Sequence, residues 1–227
     1  MGFRAAATAI GGDYELVIAK PTGTAAGDVL VAVIGYRQSV GVNSAPGGWT
    51  LLATAGTDQR CGVYYRTAGG AEPATYTWGI GVDSWDSCTG MILAYEGIDG
   101  TTPIEAFDAY YTTHNNFRAR SITTSSANAV LVAVNGTGDS GYYGATVTAP
   151  SGYTGRGGVT ADFVGGVFAA DKVQASAGAS GDAVFGTNGV FFVGTVHLAL
   201  KPAGGGAADV PVALLRRRRQ FVIDSWR

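Results

Sequence analysis

Two stretches about a hundred residues apart decide how this chain is read: Ala26-Gly27-Asp28-Val29-Leu30-Val31-Ala32-Val33 and Ala127-Asn128-Ala129-Val130-Leu131-Val132-Ala133-Val134. Val29 to Tyr36 and Val130 to Val134 are continuously apolar, the pattern of strands buried on both faces or central in a sandwich. Three further pairs follow in the same order. Ala45-Pro46-Gly47-Gly48-Trp49-Thr50 matches Ala149-Pro150-Ser151-Gly152-Tyr153-Thr154, and Gly62-Val63-Tyr64 matches Gly166-Val167-Phe168. Met91-Ile92-Leu93-Ala94-Tyr95 has its counterpart in Val196-His197-Leu198-Ala199-Leu200. The offset drifts only from 101 to 105, so the chain reads as an internal repeat.

Composition sets the fold class. Of 227 residues 36 are Gly and 14% are charged, whereas an average soluble domain has about 7% Gly and about 25% charge. Gly disfavours helices, and the Val, Thr, Tyr and Ala around it suit pleated strands joined by tight turns. Short runs rich in Val, Tyr, Thr and Phe recur from Tyr14 to Leu200 between Gly, Pro, Asn and Ser clusters. The expectation is an all-β, jelly-roll-like β-sandwich over residues 1–202, built from pseudo-repeats at about 14–100 and 120–202. Each half is expected to carry four or five short strands, too few to cover its own apolar face. Two tandem domains are the alternative; the region near residue 120 has no Pro-rich or charged linker, which favours one sandwich.

After Pro202 come Ala203-Gly204-Gly205-Gly206-Ala207-Ala208, with the linker placed at 203–208, and then a tail at 209–227. Residues 203–227 hold five Arg and two Asp, a net +3, which leaves −5 on the rest of a chain whose net charge is −2. In the tail, Leu214 and Leu215 precede Arg216, Arg217, Arg218 and Arg219, and Phe221 and Trp226 follow. Apolar groups flanking a basic run point to docking on a protein partner rather than to a simple phosphate-binding arm. An acidic body also repels nucleic acid. No apolar run is long enough for a membrane helix, and Met1 to Gly12 lacks the pattern of a signal peptide, so ordinary export is not expected.

Few motifs carry chemistry. Gly138-Asp139-Ser140-Gly141 has the form of a nucleophile loop, but His114 lacks the flanks of a base, and the tetrapeptide reads as a turn. His197 alternates with Thr195 and Lys201, away from Val196, Leu198 and Leu200, and reads as a solvent-facing or inter-sheet structural His. The carboxylate pairs Glu105/Asp108 and Asp83/Asp86 read as turn chemistry ahead of calcium binding or glycosidase catalysis. Gly155-Arg156-Gly157-Gly158 lacks the strand-then-helix setting of a phosphate loop. No metal site or cofactor is expected. Cys61 and Cys88 lack metal spacing and leave one disulfide open, which requires neighbouring strands. Trp49 and Tyr153, at matching places after Pro-containing turns, read as a repeated core anchor. Trp85, Tyr110, Tyr111, Tyr142 and Tyr143 lie among polar residues and are candidates for glycan stacking or protein contact.

The series Ala26 to Ala32, Pro46 to Leu51, Val63 to Arg66, Glu72 to Trp78 and Ile92 to Asp99 resembles a family of β-sandwich proteins among the virion proteins of tailed bacteriophages. Its members are often labelled minor tail proteins in phages of GC-rich actinobacteria, and related modules occur in secreted bacterial proteins. The resemblance covers about residues 25–202; the tail departs from it. It implies a non-enzymatic virion subunit, assembled in the host cytoplasm, at the tail tip or decorating the capsid. Its partners would be other virion proteins, in a homo-oligomer or symmetric assembly. A carbohydrate-binding module for a host surface glycan is the second expectation.

Overall fold

The structure, a computed structural model, describes residues 1–12, 14–37, 41–56, 59–81, 88–113, 117–138, 146–161, 165–189 and 192–204. The described residues form strands and turns without a helix, and every strand pair is antiparallel. The first half holds β1 (Gly2–Gly11), β2 (Glu15–Ala19), β3 (Val29–Arg37), β4 (Val42–Ser44), β5 (Thr50–Ala55), β6 (Gln59–Thr67), β7 (Thr75–Ile80) and β8 (Cys88–Glu96). The second holds β9 (Ile104–Thr113), β10 (Arg118–Ala119), β11 (Thr123–Thr124), β12 (Ala129–Thr137), β13 (Val147–Thr148), β14 (Thr154–Ala161), β15 (Gly165–Gln174), β16 (Gly178–Ala179), β17 (Ala183–Val184), β18 (Gly186–Thr187) and β19 (Phe192–Leu200).

Both halves follow one path. Five strands of the first lie in the order β1-β8-β3-β6-β5, and five of the second in the order β9-β19-β12-β15-β14. Counterparts occupy equal places in both sheets. A second, outer layer covers each: the three-stranded β2-β7-β4 over the first, and the ribbons β10-β17, β11-β16 and β13-β18 over the other. Strands 1, 8, 3 and 6 in one layer with 2, 7 and 4 in the other make a jelly roll, whose fifth strand here joins the larger sheet. Each half therefore has its own second layer, where four or five strands were expected. The outer strands escape an apolar-run reading because they are short and rich in Gly, Ser and Thr, as in Val42–Ser44 and Thr123–Thr124.

The two five-stranded sheets pack face to face, β3 against β12, β1 against β14 and β5 against β9. This exchange of equivalent edges describes a pseudo-two-fold axis passing between β3 and β12. Alternation along β3 sends Val29, Val31 and Val33 into the central core, and Leu30, Ala32 and Ile34 into the outer core of the first half. Along β12, Val130, Val132 and Val134 face the central core while Leu131 and Ala133 face outward. Burial on both faces explains why these two runs are continuously apolar.

The matched turns are alike too. Trp49 N–H donates to the Pro46 carbonyl at 3.3 Å and Tyr153 N–H to the Pro150 carbonyl at 2.9 Å. Gly48 (φ 83°) and Gly152 (φ 77°) take the left-handed position that a type II turn demands before the aromatic residue. Trp49 then packs on Tyr76 and Trp78 in one outer core, each with ring centroids 5.2 Å away, and Tyr153 packs on the other. The repeated core anchor is thus present in both halves.

Cys61 and Cys88 are free and buried, which corrects the disulfide left open by the sequence. Gly35 of β3 pairs with Cys61 on one side and with Thr89, next to Cys88, on the other. A whole strand separates the thiols by about 10 Å, beyond the roughly 7 Å that a disulfide spans between Cα atoms. They also enter different cores, Cys61 the central and Cys88 the outer. Burial pushes both thiols up to about 12. Native protein is expected to resist alkylation at neutral pH and to take two labels once unfolded, with the same mass whether or not it was reduced first. A mass change on reduction, or rapid labelling of the folded chain, would contradict this arrangement.

Candidate interaction surface

Strand β9 ends the second five-stranded sheet: it pairs with β19, and no strand of the described residues lies on its other side. Along this edge an open groove of about 420 Å³ runs between Ile104–Asp108 and Ser121–Thr123. Phe107, whose side chain leaves β9 on the face opposite Asp108, is 49% exposed. Glu105 and Asp108 sit in this strand and not in a turn, a correction to the sequence reading. The reading failed because Ile104 to Thr113 alternates among Ala, Asp, Tyr and Thr without an apolar run.

Each carboxylate of the pair already has a structural task. Asp108 accepts two hydrogen bonds of 2.8 Å from Arg120, a forked ion pair. Glu105 accepts from the Ser125 hydroxyl at 3.1 Å and from the Ser126 N–H at 3.5 Å. It has no ion pair among the described residues, so its charge faces the groove uncompensated. The Arg120 guanidinium lies 4.5 Å from the Tyr110 ring centroid and that of Arg118 5.7 Å, while Arg118 reaches Asp182 at 3.3 Å.

Tyr110 pairs with Thr195 and Tyr111 with Gly194, so adjacent rings leave β9 on opposite sides. They cannot form one stacking platform, and the ring of Tyr110 is claimed by the two arginines. Trp85, Tyr142 and Tyr143 lie outside the described residues, as do His114, Asp83, Asp86, Asp139, Ser140 and Gly141.

His197 stands behind the groove, opposite Asp108 on the neighbouring strand, and is fully buried rather than solvent-facing. Its Nδ1 and the Arg120 carbonyl are 2.9 Å apart, which requires N–H on Nδ1. Nε2 then accepts from the Tyr153 hydroxyl, also at 2.9 Å. Burial, with the Lys172 ammonium nearby, holds the imidazole below its ordinary value and hence neutral. Lys172 itself lies 4.6 Å over the Tyr153 ring. Both ring nitrogens are engaged within the fold, so His197 ties the outer layer to the sheet and has no nitrogen free to act as a base on a substrate. Alternation predicted its face correctly; the outer ribbons that cover it were not visible in the sequence.

The segment beyond the sandwich leaves at the same end of the body as the start of β9. Leu200 pairs with Ile104, Lys201 N–H donates to the Pro103 carbonyl at 2.8 Å, and Ala203 N–H to the Gly97 carbonyl at 2.9 Å. Gly204, the last described residue, therefore stands beside Gly97, past the end of β8, and Leu214, Leu215, Arg216 to Arg219, Phe221 and Trp226 lie outside the described residues. Among the described residues no three or more His, Cys, Asp or Glu side chains gather as metal ligands would. What the surface offers is a strand edge, an exposed ring and an uncompensated carboxylate, which together suit an extended peptide with basic and apolar side chains. No family model, curated protein or solved structure matches this chain.

Proposed function

We propose that the chain is a non-enzymatic structural subunit of a tailed-phage virion, a minor tail or tail-tip subunit or a capsid decoration protein, anchored by residues 209–227. The observation that carries this reading is a basic, apolar segment that follows a doubly layered body, whose edge strand β9 carries a groove that suits such a segment. Jelly rolls serve in viral capsids as well as in lectins, so the fold permits the assignment without fixing it. The residue resemblance to virion proteins favours the first of these, and its stretches run along the strands and turns of the first half.

The polar chemistry of the body supports a scaffold. Arg4 bonds Asp28 at 2.7 and 3.1 Å and Glu96 at 2.8 Å, while Lys201 bonds Asp99 at 2.8 Å. Such pairs join strands and chain ends within the fold.

Deleting residues 207–227 is expected to leave the far-ultraviolet circular dichroism of the body unchanged and to abolish incorporation into particles. A mass-spectrometric inventory of purified virions, with heads and tails separated, reads the result directly and places the full chain. Normal incorporation of the truncated protein would overturn the anchor. Tight DNA binding by the tail with a steep salt dependence would favour a nucleic-acid role for it instead.

A further inference from the structure

The geometry points to the partner of this tail: residues 209–227 of one copy add as an edge strand to β9 of a second copy of the same chain. The inference rests on the anchoring role of the tail, though not on the identity of the particle.

Three observations converge on it. The outer edge of β9 is unoccupied by any described strand, and such an edge is a template for main-chain hydrogen bonding. The groove on its outer face offers Glu105 for a cation, and the half-exposed Phe107 on the opposite face of the strand offers a contact for an apolar side chain. The tail supplies both kinds of group in one run, Leu214 and Leu215 followed by Arg216 to Arg219. In a strand alternate side chains point the same way, so one or two of those arginines reach the Glu105 side while their neighbours face solvent.

Direction decides between the chain's own tail and that of another copy. Gly204 stands beside Gly97, across the end of the body from the start of β9, and five residues, 205–209, extend at most about 18 Å. A tail of the same molecule that pairs from Val210 onward would therefore meet β9 first at its Ile104 end and run parallel to it. It would lay Val210 to Leu215 beside Ile104 to Ala109, and Arg216 to Arg219 beside Tyr110 to Thr113, next to the guanidinium groups of Arg118 and Arg120. A tail arriving from a second molecule is free to run antiparallel, the stronger pairing, and then brings its arginines toward Glu105. Charge and polarity both favour exchange between copies.

The full chain carrying a photoreactive benzoylphenylalanine at Phe107, mixed with isotope-labelled full chain, tests this. Illumination is expected to join position 107 to residues 209–227 in pairs of one heavy and one light chain. In parallel, sedimentation of the full chain is expected to show self-association that weakens about tenfold in Phe107→Glu and in Glu105→Lys. Circular dichroism identifies a variant that fails to fold; Phe107 is a half-exposed edge residue and serves as the second probe should Glu105→Lys disturb Ser125 and Ser126. Crosslinks confined to single chains, crosslinks that avoid the tail, or a monomer at all concentrations would each overturn the proposal. Loss of truncated chain from particles without such crosslinks would leave the virion anchor standing and remove only the second copy. Crosslinks combined with normal incorporation of the truncated chain would do the reverse.

Discussion

Asp171→Ala is expected to cost about 3–5 kcal/mol of stability, because it strands a partly buried cation and a buried hydroxyl at once. Asp171 lies in β15 with its side chain 4% exposed, and Arg156 in β14 grips it through hydrogen bonds of 2.7 and 2.9 Å. From the facing sheet, the hydroxyl of Tyr95 in β8 donates to the same carboxylate at 2.9 Å. Phe3 of β1 closes the cluster, its ring centroid 4.3 Å from the Arg156 guanidinium carbon and 5.8 Å from the Tyr95 ring. The carboxylate raises the pKa of the Arg156 guanidinium and, with burial, of the Tyr95 phenol, so guanidinium and phenol keep their protons as donors. Removing it breaks a connection between the two halves and not merely a surface pair. Tyr95→Phe deletes one donor and leaves the ion pair intact, for a loss of about 1 kcal/mol. Pairing Asp171→Ala with Arg156→Met removes the orphaned charge, and the double variant is expected to be more stable than Asp171→Ala alone. Urea midpoints at constant slope measure all three. A loss below 1 kcal/mol in Asp171→Ala would show that the cluster is not a clamp.

How far the fold could be read from sequence follows from which contacts are local. The runs at Val29 and Val130 were legible because burial on both faces leaves no polar position along the strand. The turns before Trp49 and Tyr153 were legible because a type II turn demands Gly at one place, whatever the rest of the fold. Long-range facts were not legible. That β3 separates Cys61 from Cys88 depends on sheet order, and that β9 is an edge depends on what fails to pair with it. Tyr110 and Tyr111 look alike beside each other, yet the pleat sends them to opposite sides.

The repeat also conceals a change in chemistry. Ile92 and His197 occupy matched places, as do Trp49 and Tyr153, and where the first half packs apolar rings the second makes the Tyr153–His197 hydrogen bond. The outer cover changes with it. Tyr76, Trp78 and Ile80 alternate along one continuous strand in the first half, while in the second the cover is broken into ribbons whose buried rings are Phe117 and Phe185. A polar tie through His197 adds to the apolar contacts of these short ribbons and fixes Tyr153 and Arg120 to the sheet.

Residues 1–102 and 103–204, produced separately, are expected to fail as folded monomers, while the whole chain unfolds in one cooperative transition. Each half has an outer core, but the central core draws on both: Val29, Val31, Val33, Met91 and Leu93 meet Val130, Val132, Val134, Val196 and Leu198. Exposing one fully buried side chain of this size costs about 1.5–3 kcal/mol, so five on one face rival the 5–15 kcal/mol that holds a typical domain together. Separation also removes the Asp171 carboxylate from Tyr95, the Ile98–Pro202 bridge and the Lys201–Asp99 ion pair. Tryptophan fluorescence, read in a Trp226→Phe background so that only Trp49, Trp78 and Trp85 of the first half remain, should then give the same midpoint as circular dichroism, which reports on both halves. A fragment that sediments as a monomer and melts cooperatively, or two resolved transitions in the whole chain, would make the halves independent domains. Coincident transitions would mean that the pseudo-two-fold interface belongs to the folding unit itself, so that a pull on the tail at Gly204 is borne by both jelly rolls together.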